Sequence, residues 1–104
     1  MAQFHPYFAQ KMPDLIRLLK THKVVSAYAF GSVLTNNFNE ESDIDLLIQF
    51  EENLDPVENG ELWWSLWYAI QELYGRKVDL VIERSVKNPY FKAELAEKSK
   101  LVYA

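Results

Sequence analysis

An α/β (α+β) layered domain, a small mixed β-sheet with helices packed mainly on one face, is the fold class this sequence predicts. Three observations predict it. Apolar residues recur at helical spacing in separate stretches, short β-branched runs stop at turn-forming residues, and the two kinds of segment alternate along the chain. The 104 residues suit one compact domain, 1–104, and 49% hydrophobic with 25% charged residues argues against disorder.

In chain order, residues 13–21 place Leu15, Ile16, Leu18 and Leu19 at helical spacing, and Pro13 is tolerated in a first turn; residues 4–12 add a turn before them. Val24–Phe30 is a β-rich run that stops at Gly31, the first strand. Residues 43–50 form the second, and the loop 31–42 between them carries the turn formers Asn36, Asn37, Asn39 and Ser42. An acidic connection containing Pro and Gly, 51–60, leads to a second helix over 61–74 with Gly75 as its C-cap. Residues 77–82 make the third strand. Asn88 and Pro89 read as the cap and first turn of a third helix reaching about Lys98, and 101–103 add a short edge strand.

Charge narrows the function. The formal net charge of −4 has the wrong sign for holding nucleic acid by its phosphates, so no direct nucleic-acid binding is expected. Between Lys23 and Arg76 no Lys or Arg occurs, while Glu40, Glu41, Asp43, Asp45, Glu51, Glu52, Asp55, Glu58, Glu61 and Glu72 all fall there. An anionic ligand approaching this stretch needs a cation beside it, which favours a metal site over bare phosphate binding. The absence of Cys excludes a disulfide framework and a thiolate zinc site. Apolar runs too short for a bilayer, and an N-terminus unlike a signal peptide, predict a soluble cytoplasmic protein with no membrane role.

The informative constellation is Gly31-Ser32, ten residues, then Asp43-Ile44-Asp45. On a strand, residues two apart share a face, so Asp43 and Asp45 project together while Ile44 turns to the core. Paired carboxylates repel one another unless a cation sits between them, and magnesium, a hard ion that takes carboxylate and phosphate oxygens, suits them. Gly31 lets backbone N–H groups approach a phosphate, and the Ser32 hydroxyl adds a donor. Asp79 lies inside an apolar run; with strands two and three adjacent it joins the pair around a metal, and otherwise it pairs with Arg76 or Lys77 at a strand edge. Three acids and two metal ions are what an in-line phosphoryl displacement needs. Chance alone yields the Gly-Ser and Asp-x-Asp spacing in roughly one 100-residue chain per thousand, which favours the functional reading.

Phe30-Gly31-Ser32, the spacing, Ser42-Asp43-Ile44-Asp45-Leu46 and Val78-Asp79-Leu80-Val81 resemble the minimal nucleotidyltransferases of the polymerase-beta-like superfamily, and the likeness extends to Asn88-Pro89-Tyr90 and Leu101-Val102-Tyr103. The resemblance implies that Gly31 and Ser32 hold a nucleoside triphosphate such as ATP, and that Asp43, Asp45 and Asp79 are catalytic and ligate Mg2+. It further implies an antitoxin paired with a small helical HEPN ribonuclease, transferring AMP to a hydroxyl of that partner; a binding-only antitoxin or a transferase with a small-molecule acceptor are the alternatives. Many relatives follow Gly-Ser with Arg-Ala-Arg-Gly, where this chain has Val33, Leu34, Thr35 and Asn36. Basic help for the phosphates then has to come from outside residues 24–75 or from a partner. Lys87, Lys92, Lys98 and Lys100 read as a solvated face from which one or more could reach phosphates.

His5 and His22 lack partners at ligand spacing and are assigned no chemistry. In the second helix Leu62, Leu66, Ala69, Ile70 and Leu73 form the core stripe, while Trp63, Trp67 and Tyr74 form a second stripe about 100° away. The rings either cover the core edge or face outward; the expectation is an outward patch serving a homodimer or a helical partner.

Overall fold

The computed structural model describes residues 4–35, 38, 39 and 41–104. Asn36, Asn37 and Glu40, named above, lie outside the described residues. The elements are helices α1 (Pro6–Gln10) and α2 (Met12–Thr21), strand β1 (Val24–Phe30), a 3-10 turn over Gly31–Leu34, strand β2 (Ile44–Phe50), helix α3 (Pro56–Tyr74), strand β3 (Val78–Ile82), helix α4 (Pro89–Lys98) and strand β4 (Lys100–Tyr103). Four strands form one mixed sheet in the order β3-β2-β1-β4. β1 runs antiparallel to β2 and β4, and β2 parallel to β3. A parallel neighbour cannot be reached through a hairpin, and α3 supplies the crossover.

Local chemistry sets the helix ends. Pro sits in the first turn of every helix, where its missing N–H has no intrahelical partner to lose. The Asp55 carboxylate accepts from the Glu58 N–H at 2.9 Å, so α3 starts at Pro56, a full turn before the expected 61; Gly75 closes it in the left-handed region at φ 64°. Asn88 caps α4, accepting from the Tyr90 and Phe91 N–H groups at 2.8 and 3.3 Å.

The two sheet faces differ. Ile44, Leu46, Ile48 and Phe50 of β2 alternate toward the larger core, which also holds Leu15 and Leu19 of α2 with Leu66 and Ile70 of α3. Leu47 faces the other way, into a small cluster with Val86 and Leu95 under α4. Three of the four helices therefore lie on the larger-core side, as expected.

The outward stripe of Trp63, Trp67 and Tyr74 is not formed. Tyr74 is 1% exposed: it stacks on Phe8 with ring centroids 5.3 Å apart, its hydroxyl donates to the Phe8 carbonyl at 3.0 Å, and the Tyr7 hydroxyl donates to its backbone carbonyl. Trp63 and Trp67 lie half-buried along β3, their indole N–H groups donating to the Leu80 and Val78 carbonyls at 3.0 and 2.9 Å. Gln71 Oε1 accepts from the Val78 N–H at 3.2 Å. The physical reason is the strand order. β3 is an edge strand, Val78 and Leu80 turn their backbone groups away from β2, and α3 satisfies and covers that edge. The rings left in solvent are Trp64 and Tyr68, 63% and 60% exposed.

Candidate active site

Strand register assembles the site. Phe30, Asp45 and Asp79 are partners across β1, β2 and β3, so the two carboxylates stand abreast on neighbouring parallel strands. Because Ile44 and Leu46 go to the larger core, Asp45 projects from the α4 face. Asp43 immediately precedes β2, where the Ile44 N–H donates to the Lys77 carbonyl at 3.0 Å and pairing with β3 begins.

The loop that delivers Asp43 is pinned by Arg76. Its guanidinium donates to the Asn39 and Ser42 carbonyls at 2.7 and 2.9 Å and lies over the Tyr7 and Phe38 rings, 4.5 Å from each centroid. Asp79 therefore does not pair with Arg76, and neither of the ion pairs found among the described residues, Arg17–Asp14 and Lys23–Glu58, involves it. That removes the edge-pair alternative.

Gly31 ends β1 at φ +76° with its backbone against Asp45: a Cβ there would stand 2.4 Å from Asp45 Oδ2. Only glycine accommodates both the dihedral and the approach. Ser32, half-buried, follows in the 3-10 turn, which Thr35 closes by donating its N–H and hydroxyl to the Ser32 carbonyl, both at 3.0 Å. Val33 is wholly buried and its carbonyl accepts from the His5 N–H at 3.0 Å, so the position after Gly-Ser serves as a packing anchor. His5 and His22 serve the packing, His5 Nδ1 accepting from the Tyr7 N–H at the start of α1 and His22 lying 2.7 Å from the Leu18 carbonyl through Nδ1 and 2.9 Å from the Ser65 hydroxyl of α3 through Nε2.

Electrostatics single out Asp45. Burial, then the neighbouring Asp79 and Asp43 charges, push its pKa up to about 6. A cleft of about 780 Å³ opens over it, lined by Gly31, Leu34, Asp45 and Asp79 on the sheet side and by Phe91, Glu94 and Lys98 on the α4 side. Among the described residues no group of three or more His, Asp or Glu side chains is gathered as a ligand set. The donor set is nonetheless all oxygen and carries like-charge stress at Asp45, which fits a hard cation that takes its remaining oxygens from a phosphate substrate.

The sequence matches the family described as polymerase beta, nucleotidyltransferase, over residues 14–104. The chain belongs to this nucleotidyltransferase family. A Methanocaldococcus jannaschii protein carrying the provisional name of protein adenylyltransferase is 40% identical over 92 residues, 84% of this chain and 90% of the relative. A solved minimal nucleotidyltransferase superposes with TM-score 0.66 at 28% identity, over 88% of this chain and 89% of that one. A chain from the structure of a tri-AMPylated Shewanella oneidensis HEPN toxin with its MNT antitoxin does so with TM-score 0.61 at 26% identity, over 92% and 71%. Family and fold are those the motifs imply. The Arg76 clamp escapes a sequence reading, while Lys98, one of the four lysines read as a solvated face able to reach phosphates, lines the cleft. Arg76 carries no local signal, whereas Lys98 lies one turn past Leu95 on the same helix face.

Proposed function

We propose that this nucleotidyltransferase moves AMP from ATP to a hydroxyl of a partner protein, and that the partner is a HEPN-type helical toxin. The observation that carries the reading is the side-by-side placement of Asp45 and Asp79 with the bare backbone of Gly31 against Asp45. The relatives support the acceptor class, since one bears the name of a protein adenylyltransferase and another stands beside an AMPylated toxin.

In this reading the Gly31 turn and the Ser32 hydroxyl hold the triphosphate, and Asp43 and Asp45 hold the metal side of it. The acceptor oxygen attacks the α-phosphorus in line, the bond from that phosphorus to the bridging oxygen breaks, and pyrophosphate leaves. Asp79, the exposed carboxylate on the rim, orients the acceptor hydroxyl and takes its proton. Magnesium, two ions by the family resemblance, would be held by Asp43, Asp45 and Asp79 and would supply charge neutralisation at the attacking and leaving oxygens.

The test is incubation with magnesium, the partner toxin and ATP labelled on either the α- or the γ-phosphate. Label from the α position should appear on the toxin and γ label should not. Neutralisation of the toxin without any label transfer would instead establish a binding-only antitoxin, the reading that the packing role of Val33 favours.

A further inference from the structure

Residues 24–75 contain no Lys or Arg, and the two positions after Gly31-Ser32 are the apolar Val33 and Leu34. A polyphosphate carries several negative charges, and carboxylates with their metal neutralise only part of them. The cleft itself shows where another cation sits. On α4 the residues Phe91, Leu95 and Lys98 recur at i, i+4 and i+7, the stripe that faces the sheet. Leu95 is buried, Phe91 meets the Phe30 ring edge-on at 6.0 Å, and Lys98 reaches the same cleft as Asp45 and Asp79. Lys98 is itself exposed, so its ammonium stays in water at the cleft, where an anion can meet it. Lys98 has no ion pair among the described residues, not even with Glu94 one turn before it, although Glu94 and Glu97 also line the cleft.

Sheet order gives the direction. β4 begins at Lys100, which pairs with Ala29, one residue before the Phe30–Asp45–Asp79 row. Lys98, two residues before Lys100, therefore lies at the β4 end of that row, with the Gly31 turn between it and the carboxylates. Strand spacing puts the β4 end about 10 Å from β2, the span of an extended triphosphate with its oxygens. Lys100 also lines the cleft, but its ammonium lies over the Phe4 ring, 5.9 Å from the centroid.

We infer that Lys98 is the polyphosphate-binding cation of the cleft, holding the β- and γ-phosphates on the side of Gly31 opposite Asp45 and Asp79. The inference rests on the nucleotidyl-transfer reading for its ligand, but its test does not require transfer. Binding of inorganic tripolyphosphate, ATP and AMP, each with magnesium, is measured by calorimetry for the wild type and for Lys98→Gln, Lys98→Arg and Lys92→Gln, with melting recorded for each. Lys98→Gln should weaken tripolyphosphate and ATP about tenfold while leaving AMP unchanged. It should also flatten the salt dependence of tripolyphosphate binding. Lys98→Arg should bind nearly as the wild type does, and Lys92→Gln should match it. Wild-type affinity for tripolyphosphate in Lys98→Gln, or an equal loss in Lys92→Gln, overturns the inference. Loss of tripolyphosphate affinity in Lys98→Gln, from a wild type that transfers no label, leaves the subsite standing and removes the transfer reading; normal transfer with unchanged polyphosphate affinity does the reverse.

Discussion

On the face of the sheet that α2 and α3 cover, Ala27, Ala29, Ile44, Leu46 and Ile48 are at most 1% exposed, whereas under α4 the buried set is Leu47, Val86 and Leu95 at 5–8%. The same strands supply both faces. β2 alternates Ile44, Leu46 and Ile48 into the first and Asp45 and Leu47 into the second, so one strand contributes core packing and a site carboxylate without conflict. The first face is closed by close-packed side chains. The second is left open enough for a cleft of about 780 Å³, and there the left-handed glycine and the stressed carboxylate are found. Stability and chemistry are separated by the pleat, and substitutions on the two faces should fail in different ways.

The largest stability loss should come from the closed face. Ile70→Ala removes a wholly buried side chain and should cost about 2–5 kcal/mol in denaturant unfolding. Leu95→Ala, under α4, should cost less than that and should disturb nucleotide binding more. Equal losses at the two positions would break the contrast.

Gly31→Ala sharpens it from the other side. The added Cβ meets Asp45 Oδ2 at 2.4 Å and φ stays at +76°, so the carboxylate or the turn has to shift. A displacement of about 1 Å at a reacting centre costs on the order of 100-fold in rate. Transfer assays should show that loss; a variant transferring at the wild-type rate would show that the close approach has no role.

Trp67→Ala tests the β3 edge. Truncation removes the indole from a half-buried position and leaves the Val78 carbonyl without its donor, a loss of about 2 kcal/mol in stability. Association state should be unchanged, because the ring serves the sheet edge. Trp64→Ala, at 63% exposure, should barely alter melting. Weakened self-association or toxin binding with unaltered melting in Trp67→Ala would restore an outward role for that ring.

The smallest effect is electrostatic. Asp45 titrates near 6 in the folded protein against an ordinary value of 3.8, so the folded state binds its proton more tightly than the unfolded state does. Its ionisation therefore destabilises, and its contribution to stability falls as pH rises from about 4 to about 6. For a half-exposed group the loss is about 1–2 kcal/mol after solvent screening. The difference in unfolding free energy between wild type and Asp45→Asn should grow in favour of the variant across that window in the absence of metal. A constant difference would contradict the assignment.

Much of this was legible in the sequence for identifiable reasons. Strand alternation around Ile44, the turn at Gly31, the Asn88-Pro89 cap and the carboxylate spacing are local signals. Helix α3 was legible only in part, because Gly60 and the run of acids in 51–60 mask the Asp55-Pro56-Glu58 start that its capping bond reveals. The aromatic stripe fails for a different reason. Periodicity places Trp63, Trp67 and Tyr74 on one side of a helix but does not say that an edge strand and α1 lie against that side. Arg76 is likewise intelligible only once the chain has folded, since its partners Tyr7, Phe38, Asn39 and Ser42 come from two distant segments.

The separation of stability from chemistry is tested most directly by Asp43→Asn with Asp45→Asn, assayed for α-label transfer to the toxin with magnesium and for melting without it at neutral pH. The account predicts that transfer is abolished while the melting temperature stays equal or rises, because two neighbouring like charges are gone. Transfer at the wild-type rate, or a lower melting temperature, would contradict it.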